Sequence, residues 1–332
     1  MSQQTVTPAR RLPSVAALNL HFDADRLAAE VRMLQEREQW RRNRIVSQTG
    51  IGDEIMDDWK MIILRGPNGD PARTDPGGAG LASHADTPLL DLVPYHAEVL
   101  RSIPAPMFSA RLMGLGPGAQ LHLHRDGKWT YRFGIVRLHV PIVTNPGCVL
   151  YVEGEEFHWD AGRLWYADFD REHYARNSGS ERRIHLVVDC LPTRELMELF
   201  PEDFQARLPW SEVLLARDEV PMRDFERAAF QCTFPMPATF PEWSDEPEND
   251  PHADVEARVE VRGEKLVLSV GDEPLFGLIH IGQGEFQLEG WTTERTLRID
   301  RTSVVPYVRF RIREGNSLTE TVRSVTFAQA ND

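Results

Sequence analysis

Mainly β, with flanking helices and in two units, is the fold class predicted by this 332-residue sequence. Three observations predict it. Between 107 and 190 the segments MFSARLMGL, QLHLHRD, FGIVRLHVPIV, CVLYVEG, RLWYADF and RIHLVVDCL have strand composition, and glycine turns such as Gly116-Pro117-Gly118 and Asn145-Pro146-Gly147 punctuate them. That rhythm is the one of a double-stranded β-helix, the jelly-roll or cupin-like architecture. Residues 233–253 are then dense in proline and acid, and from 255 to 313 apolar and polar residues alternate again. The expected organisation is a domain over 1–232 with its jelly-roll core at 107–191, a linker over 233–253, and a small sandwich or barrel over 254–332.

The elements around the core follow from local pattern. Leu18, Leu20 and Phe22 alternate as in a short strand. Asp23 can cap a helix over 24–38, where Leu27, Val31 and Leu34 recur at helical spacing. Met61 to Leu64 reads as a strand. Residues 66–80 carry so many Gly, Pro and Asp that a loop is expected, of a length that suits a lid or a disordered segment. Leu89 to Ser102 has a helical pattern that Pro104 and Pro106 end. Helical pattern returns over 193–230, with Leu196, Leu199, Phe200, Phe204 and Leu208 on one face.

Composition excludes several classes. The net charge is −14, from 37 basic and 51 acidic residues, which argues against nucleic-acid binding and against docking on an anionic membrane. No run of apolar residues is long enough for a transmembrane helix. Met1 to Arg11 is polar and shows no secretory signal. Cys148, Cys190 and Cys232 are scattered, which fits a reduced cytoplasm. A cytoplasmic protein with neither nucleic-acid nor membrane partner is expected.

The chemistry centres on His124-Arg125-Asp126. Side chains two apart share a face of a strand, so His124 and Asp126 can reach one metal, joined by His173 from a distant strand. Two histidines and a carboxylate make the facial triad of non-haem Fe(II), with open positions for a keto acid and dioxygen. The same donors suit Zn(II) or Mn(II). His122 shares the face of His124, so a His122–His124 pair stays open. Arg183 opens the apolar run Ile184–Val188, where a buried arginine calls for an anion such as the distal carboxylate of 2-oxoglutarate. Arg182 faces the other way. Arg137 and His139 share a face and could hold the keto acid near the metal; a salt bridge from this pair to Glu153 or Asp168 is the plainer reading. Arg125, Trp129, Tyr131, Arg132 and Arg176 are candidates to face the substrate, each weighed against an ordinary surface or packing role. Trp165 and Tyr166 read as core. Asn177 is open between a bond near the metal and a polar turn before Ser178-Gly179. His158, His185, His252 and His280 read as structural.

Residues 107–191 resemble the aspartyl/asparaginyl β-hydroxylase family of Fe(II)/2-oxoglutarate dioxygenases, through ARLMGLGPGAQLHLHRDG, VRLHVPIVTN, WDAGRLWYADFDREHYARNSG and RRIHLVVD. The bacterial branch acting on free amino acids is the nearest in pattern. The resemblance implies iron ligands at His124, Asp126 and His173, with 2-oxoglutarate held by Arg183 and supported by Arg137 and His139. It implies hydroxylation of a C–H bond of a small amino-acid-like substrate by dioxygen, with release of succinate and CO2. Two alternatives stay open: the same iron chemistry on an aspartyl or asparaginyl residue of a protein, or on a lipid chain; and a non-catalytic, cupin-like metal-binding module. The resemblance stops before 233–332, a unit that could mediate homodimerisation, dock a carrier protein or simply cap the first domain.

Overall fold

The computed structural model describes residues 12–42, 58–243 and 249–327, with the backbone of 45–47 and 50–52. The polar start, Met1 to Arg11, and the acidic stretch 244–248 lie outside the described residues. The chain opens with β1 (Val15–His21) and α1 (Ala24–Arg37). Asp23 caps α1 as its position foretells, its side chain accepting from the Arg26 N–H at 3.0 Å. Short strands β2 (Arg41–Arg42), β3 (Ile45–Ser47) and β4 (Gly50–Gly52) lead to β5 (Trp59–Pro67), β6 (His84–Asp86) and α2 (Pro94–Ser102). The jelly roll then runs through β7 (Met107–Leu115), β8 (Val136–Val143), β9 (Cys148–Val152), β10 (Glu155–Phe157), β11 (Arg163–Ala167), β12 (His173–Asn177) and β13 (Arg183–Cys190).

These strands make two sheets. The large one has the order β1-β11-β8-β13-β7-β5-β2, with β6 added beside β5; the small one is β10-β9-β12. Period-2 alternation gives the central strands two unlike faces. Leu138 and Val140 on β8, and Leu186 and Val188 on β13, turn to the helices and pack with Leu27, Val31 and Leu34 of α1. Arg137, His139, Arg183, His185 and Asp189 occupy the alternate positions, on the opposite face. Burying that many polar groups is unfavourable unless they bond to one another or to a ligand.

Two expectations about elements change. The segment QLHLHRD is not a regular strand. It runs beside β12 through the isolated bridges Gln120↔Arg176 and His124↔His173, and the register slips by one residue between them. The 193–230 region is not one helix either. Pro201 and Pro209 interrupt it, leaving α3 (Arg194–Met197), α4 (Glu202–Gln205) and α5 (Asp224–Ala228), although Leu196, Phe200, Phe204 and Leu208 are still buried together.

The second unit is a nine-segment antiparallel sheet in sequential order: β14 (Cys232–Pro237), β15 (Asp254–Arg262), β16 (Lys265–Val270), β17 (Glu273–His280), β18 (Glu285–Leu288), β19 (Arg295–Asp300), β20 (Tyr307–Glu314), β21 (Ser317–Ser324) and β22 (Thr326–Phe327). After β21 a single residue leads into β22, which pairs with β14, so the sheet closes on itself as an up-and-down barrel. Phe234, Met236, Leu268, Phe286, Leu288, Leu297 and Phe310 fill it. The stretch read as a linker therefore begins with a barrel strand. Its prolines alternate with inward-facing Phe234 and Met236, and that apolar period, not the proline count, decides the element. The 66–80 loop is neither lid nor free segment, because it is tied to the barrel. Gly80 donates to the Glu289 carbonyl at 3.0 Å and accepts from the Gly277 N–H at 2.9 Å. All three cysteines are buried free thiols, and among the described residues no helix is long and apolar enough to cross a membrane.

Candidate metal centre

His124, Asp126 and His173 meet, with one ligand atom of each lying within 4.8 Å of the others. Asp126 Oδ1 is 3.4 Å from His124 Nε2 and 3.9 Å from His173 Nε2. Backbone bonds hold the two segments together. The His124 N–H reaches the His173 carbonyl at 3.0 Å, the His173 N–H reaches the His124 carbonyl at 2.9 Å, and the Asp126 N–H reaches the Phe169 carbonyl at 3.0 Å. The one-residue slip upstream is a bulge, a device that re-aims a side chain where regular alternation would not. It separates His124 from His122, whose side chain is exposed and whose carbonyl instead accepts from His124 Nδ1 at 2.7 Å. Among the described residues the cluster of possible ligands takes in His124 and leaves out His122.

The donor set fits a divalent transition metal. His173 Nδ1 lies 2.8 Å from the Arg171 carbonyl, as His124 Nδ1 does from His122. Each Nδ1–H donates to a carbonyl, which fixes the proton on Nδ1 in the neutral ring and leaves the Nε2 lone pair free to face the centre. Burial lowers the His173 pKa and keeps that ring neutral. Burial also works against the His124 proton, but the Asp126 carboxylate and the His122 carbonyl outweigh it and raise that pKa. For Asp126, burial is outweighed by the Arg137 guanidinium and the two imidazoles, and the pKa falls to about 2. Two imidazoles and an ionised carboxylate on one side of an ion are the donors of a facial triad.

Arg183 lies on the same face of the large sheet, 7% exposed. Its partners are not carboxylates: Nε donates to His185 Nε2 at 3.0 Å, and Nη2 is 2.9 Å from His185 Nδ1. Burial without a counter-anion lowers its pKa to about 10. It lines a small pocket with His185, Trp159, Phe157, Cys148 and Thr144. His139 packs against His185, with ring centroids 5.6 Å apart, and among the described residues its buried Nε2 has no hydrogen-bond partner, nor does the Trp159 indole N–H. A buried cation beside orphaned polar atoms is the complement of a dicarboxylate end group. The neighbouring Arg182 points the other way, to Asp58 at 2.6 Å, as alternation requires.

Arg137 is committed elsewhere. It bonds Asp126 through Nη1 and Asp189 through Nε at 2.6 Å; Glu153 and Asp168 instead take Arg171. Asp189 is 1% exposed and also accepts from Arg111 at 2.7 Å, Ser109 at 2.8 Å and Trp129 Nε1 at 3.2 Å. Register explains this cluster: Asp189 sits opposite Arg137 on β8 and Ser109 on β7.

The substrate-facing candidates divide. Trp129 borders the cluster, lying 5.1 Å from the Arg137 guanidinium. Arg125 is exposed beside the triad. Tyr131 is buried in the helix-side core and cannot face a ligand. Arg176 alternates away from His173 and pairs with Glu156, and Arg132 pairs with Glu212. Trp165 stacks on Trp159, and Tyr166 packs on Phe200 and Phe204. The Asn177 amide holds the turn carbonyls of Leu115, Gly116 and Glu181, not the metal centre. Sequence reasoning passed over Asp189 and Arg111 and read His185 as structural only. The signal available for Asp189 and His185 was their period-2 spacing with Arg183 along an otherwise apolar strand.

Comparison with known proteins gives relatives for the first unit. The L-proline cis-4-hydroxylase of Rhizobium meliloti (strain 1021) is 26% identical over 186 residues, 55% of this chain and 61% of that protein, so the chain spans less than two thirds of the relative's length. Solved structures with similarity include a prolyl hydroxylase from Trichoplax adhaerens in complex with a hypoxia inducible factor peptide fragment (TM-score 0.38, 12% identity, 55% of this chain and 86% of that one). Another is a Pseudomonas putida prolyl-4-hydroxylase (TM-score 0.33, 16% identity, 54% and 93%). The family model for aspartyl/asparaginyl beta-hydroxylase matches residues 21–192, which contain every residue of the triad and its pocket; the chain belongs to that family.

Proposed function

We propose that the protein is an Fe(II)- and 2-oxoglutarate-dependent oxygenase that hydroxylates a C–H bond of a small amino-acid-like substrate. One observation carries the reading: a His–Asp–His cluster with both Nε2 atoms freed by carbonyl-bonded Nδ1 atoms, on a face that also buries an arginine without a carboxylate partner. His124, Asp126 and His173 would hold the metal, and Arg183, walled by His185 and His139, would take the distal carboxylate of the keto acid. Ferrous iron with bound 2-oxoglutarate and dioxygen supplies the oxidant for hydroxylation, with succinate and CO2 as co-products. The side chains position and exclude water. Arg137 orients Asp126 from behind, and the Trp159, Phe157 and Phe169 rings keep the surroundings dry. A cytoplasmic setting is part of this proposal and rests on the free thiols.

The test is succinate formation by the Fe(II)-loaded protein given 2-oxoglutarate, air and a panel of free amino acids. Stimulation by one of them supports the reading and names the substrate. Asp126→Ala should lose metal binding and turnover together; turnover surviving in that variant would sink the triad assignment.

A further inference from the structure

The loop that carries Asp126 is anchored from outside the jelly roll. After Asp126 the chain takes two consecutive left-handed residues, Gly127 at φ 56° and Lys128 at φ 61°. A lysine rarely adopts that conformation unless its surroundings impose it. The Lys128 N–H donates to Asp170 of the jelly roll at 2.9 Å, and its side chain passes the Phe133 ring at 5.6 Å to reach acidic partners in the barrel. The Lys128 side chain is 2% exposed, and its Nζ is 2.7 Å from Glu294 Oε1, whose side chain is fully buried. The Trp291 indole donates to the other Glu294 oxygen at 2.9 Å. Glu314 lies 3.8 Å from the ammonium, and the Trp243 ring lies 5.5 Å away.

Trp243, Glu294 and Glu314 come from alternate hairpins of the barrel: β14–β15, β18–β19 and the β20 end of β20–β21. In an up-and-down barrel alternate hairpins share one end, so Lys128 enters that end of the barrel. A second route runs through the next residue. The Trp129 ring meets Trp243 at 6.0 Å and lies over the Arg137 guanidinium, which bonds Asp126.

We propose that the barrel is a positioning element of the metal site, and that the buried Lys128–Glu294 pair sets the loop presenting Asp126 to the ion. Lys128 and Glu294 are positioning residues, since neither touches the ligand atoms. The proposal rests on the metal reading above and adds that the unit beyond residue 232 is required for it. Groups that orient metal ligands from behind typically change metal affinity by about 10–100-fold when removed.

The experiment titrates the full chain with Co(II), following the visible absorption of the bound ion, and measures amide hydrogen exchange in the metal-free protein. Asp126→Ala is the control for where Co(II) binds. Glu294→Gln keeps the shape but removes the nearer, fully buried counter-charge, leaving the ammonium to Glu314 at 3.8 Å. It should weaken Co(II) binding by about tenfold or more and speed exchange at 126–130 without changing exchange in α1. Glu294→Asp should recover part of the affinity. If Glu294→Gln does not fold, the double variant Lys128→Gln, Glu294→Gln removes both charges and is expected to fold with the same weakened binding. Wild-type affinity and spectrum in either folded variant would overturn the proposal while leaving the metal site standing. Co(II) binding by wild type that survives in Asp126→Ala would overturn the metal reading and this proposal with it.

Discussion

Replacing Arg183 with methionine should move stability and ligand binding in opposite directions. Methionine keeps much of the apolar stem and removes the charge. Burial lowers the arginine pKa from 12.5 to about 10, and 1.36 kcal/mol per unit makes that about 3 kcal/mol of penalty for holding the cation in the folded, ligand-free protein. The sign follows from linkage. A cation whose pKa is depressed on folding destabilises at every pH below the folded value, and the penalty fades only as pH rises from about 10 toward 12.5. Losing the hydrogen bond to His185, whose neutral ring accepts at one nitrogen only, offsets about 1 kcal/mol. The ligand-free variant should therefore be more stable by about 2 kcal/mol, raising the thermal midpoint of this 332-residue chain by roughly 3 °C. The keto acid should act oppositely. A ligand at about a hundred times its Kd stabilises wild type by about 2.7 kcal/mol. Truncating one partner of a buried charge pair costs about 2–5 kcal/mol of binding, so the same concentration should leave the variant nearly unmoved. The assay is calorimetry with Mn(II) in place of iron, with and without 2-oxoglutarate. A variant that melts lower without ligand, or that keeps the wild-type shift with it, refutes the reasoning.

Three further expectations test other parts of the site. Asp189→Asn strips Arg111 of its counter-charge, leaves Arg137 with Asp126 alone, and should cost about 3–5 kcal/mol, read by urea denaturation; a near-neutral effect would mean water satisfies Arg111. Metal affinity should fall as pH falls, because His124 must lose its proton to bind and its pKa is raised above 6.5. Below that pKa the slope should be roughly tenfold per pH unit in Co(II) titrations, and a flat profile would exclude His124 as a ligand. Asn177→Ala removes the amide donor to the buried Leu115 and Gly116 carbonyls and to the half-exposed Glu181 carbonyl, and should destabilise by about 2 kcal/mol or more, with metal affinity unchanged in the folded fraction.

Much of this was legible in the sequence because it depended on local period. The Asp23 cap, the α1 stripe and the alternation of β13 each follow from spacing alone. The convergence of His124, Asp126 and His173 was legible as chemistry but not as geometry. The expected strand is a bulged segment held by two isolated bridges, and no local pattern encodes a register slip against a partner far along the chain. Tyr131 and Arg176 were misplaced for a related reason, since proximity to the motif in sequence says nothing about which face a side chain takes. The Asp189 cluster joins three strands, so its pairing with Arg111 and Arg137 depends on a strand order that composition does not reveal. The barrel contact was illegible for the same cause: Lys128 and Glu294 meet only through the packing of two units.

Closure of the barrel by β22 on β14 bears on biosynthesis. Strands that pair neighbours can zip as they leave the ribosome, whereas a seam between the first and last strands must wait for the last. His124, Asp126, His173 and Arg183 are all synthesised well before Glu294 and Phe327. During that interval the emerging chain holds the jelly-roll residues without the seam that completes the barrel, and Lys128 is without its acidic partner. On the proposed coupling, the Asp126 loop takes its final setting only once Glu294 has been made and the barrel has closed, so a chain stalled or cleaved within the barrel would carry that loop without its buried acidic partner.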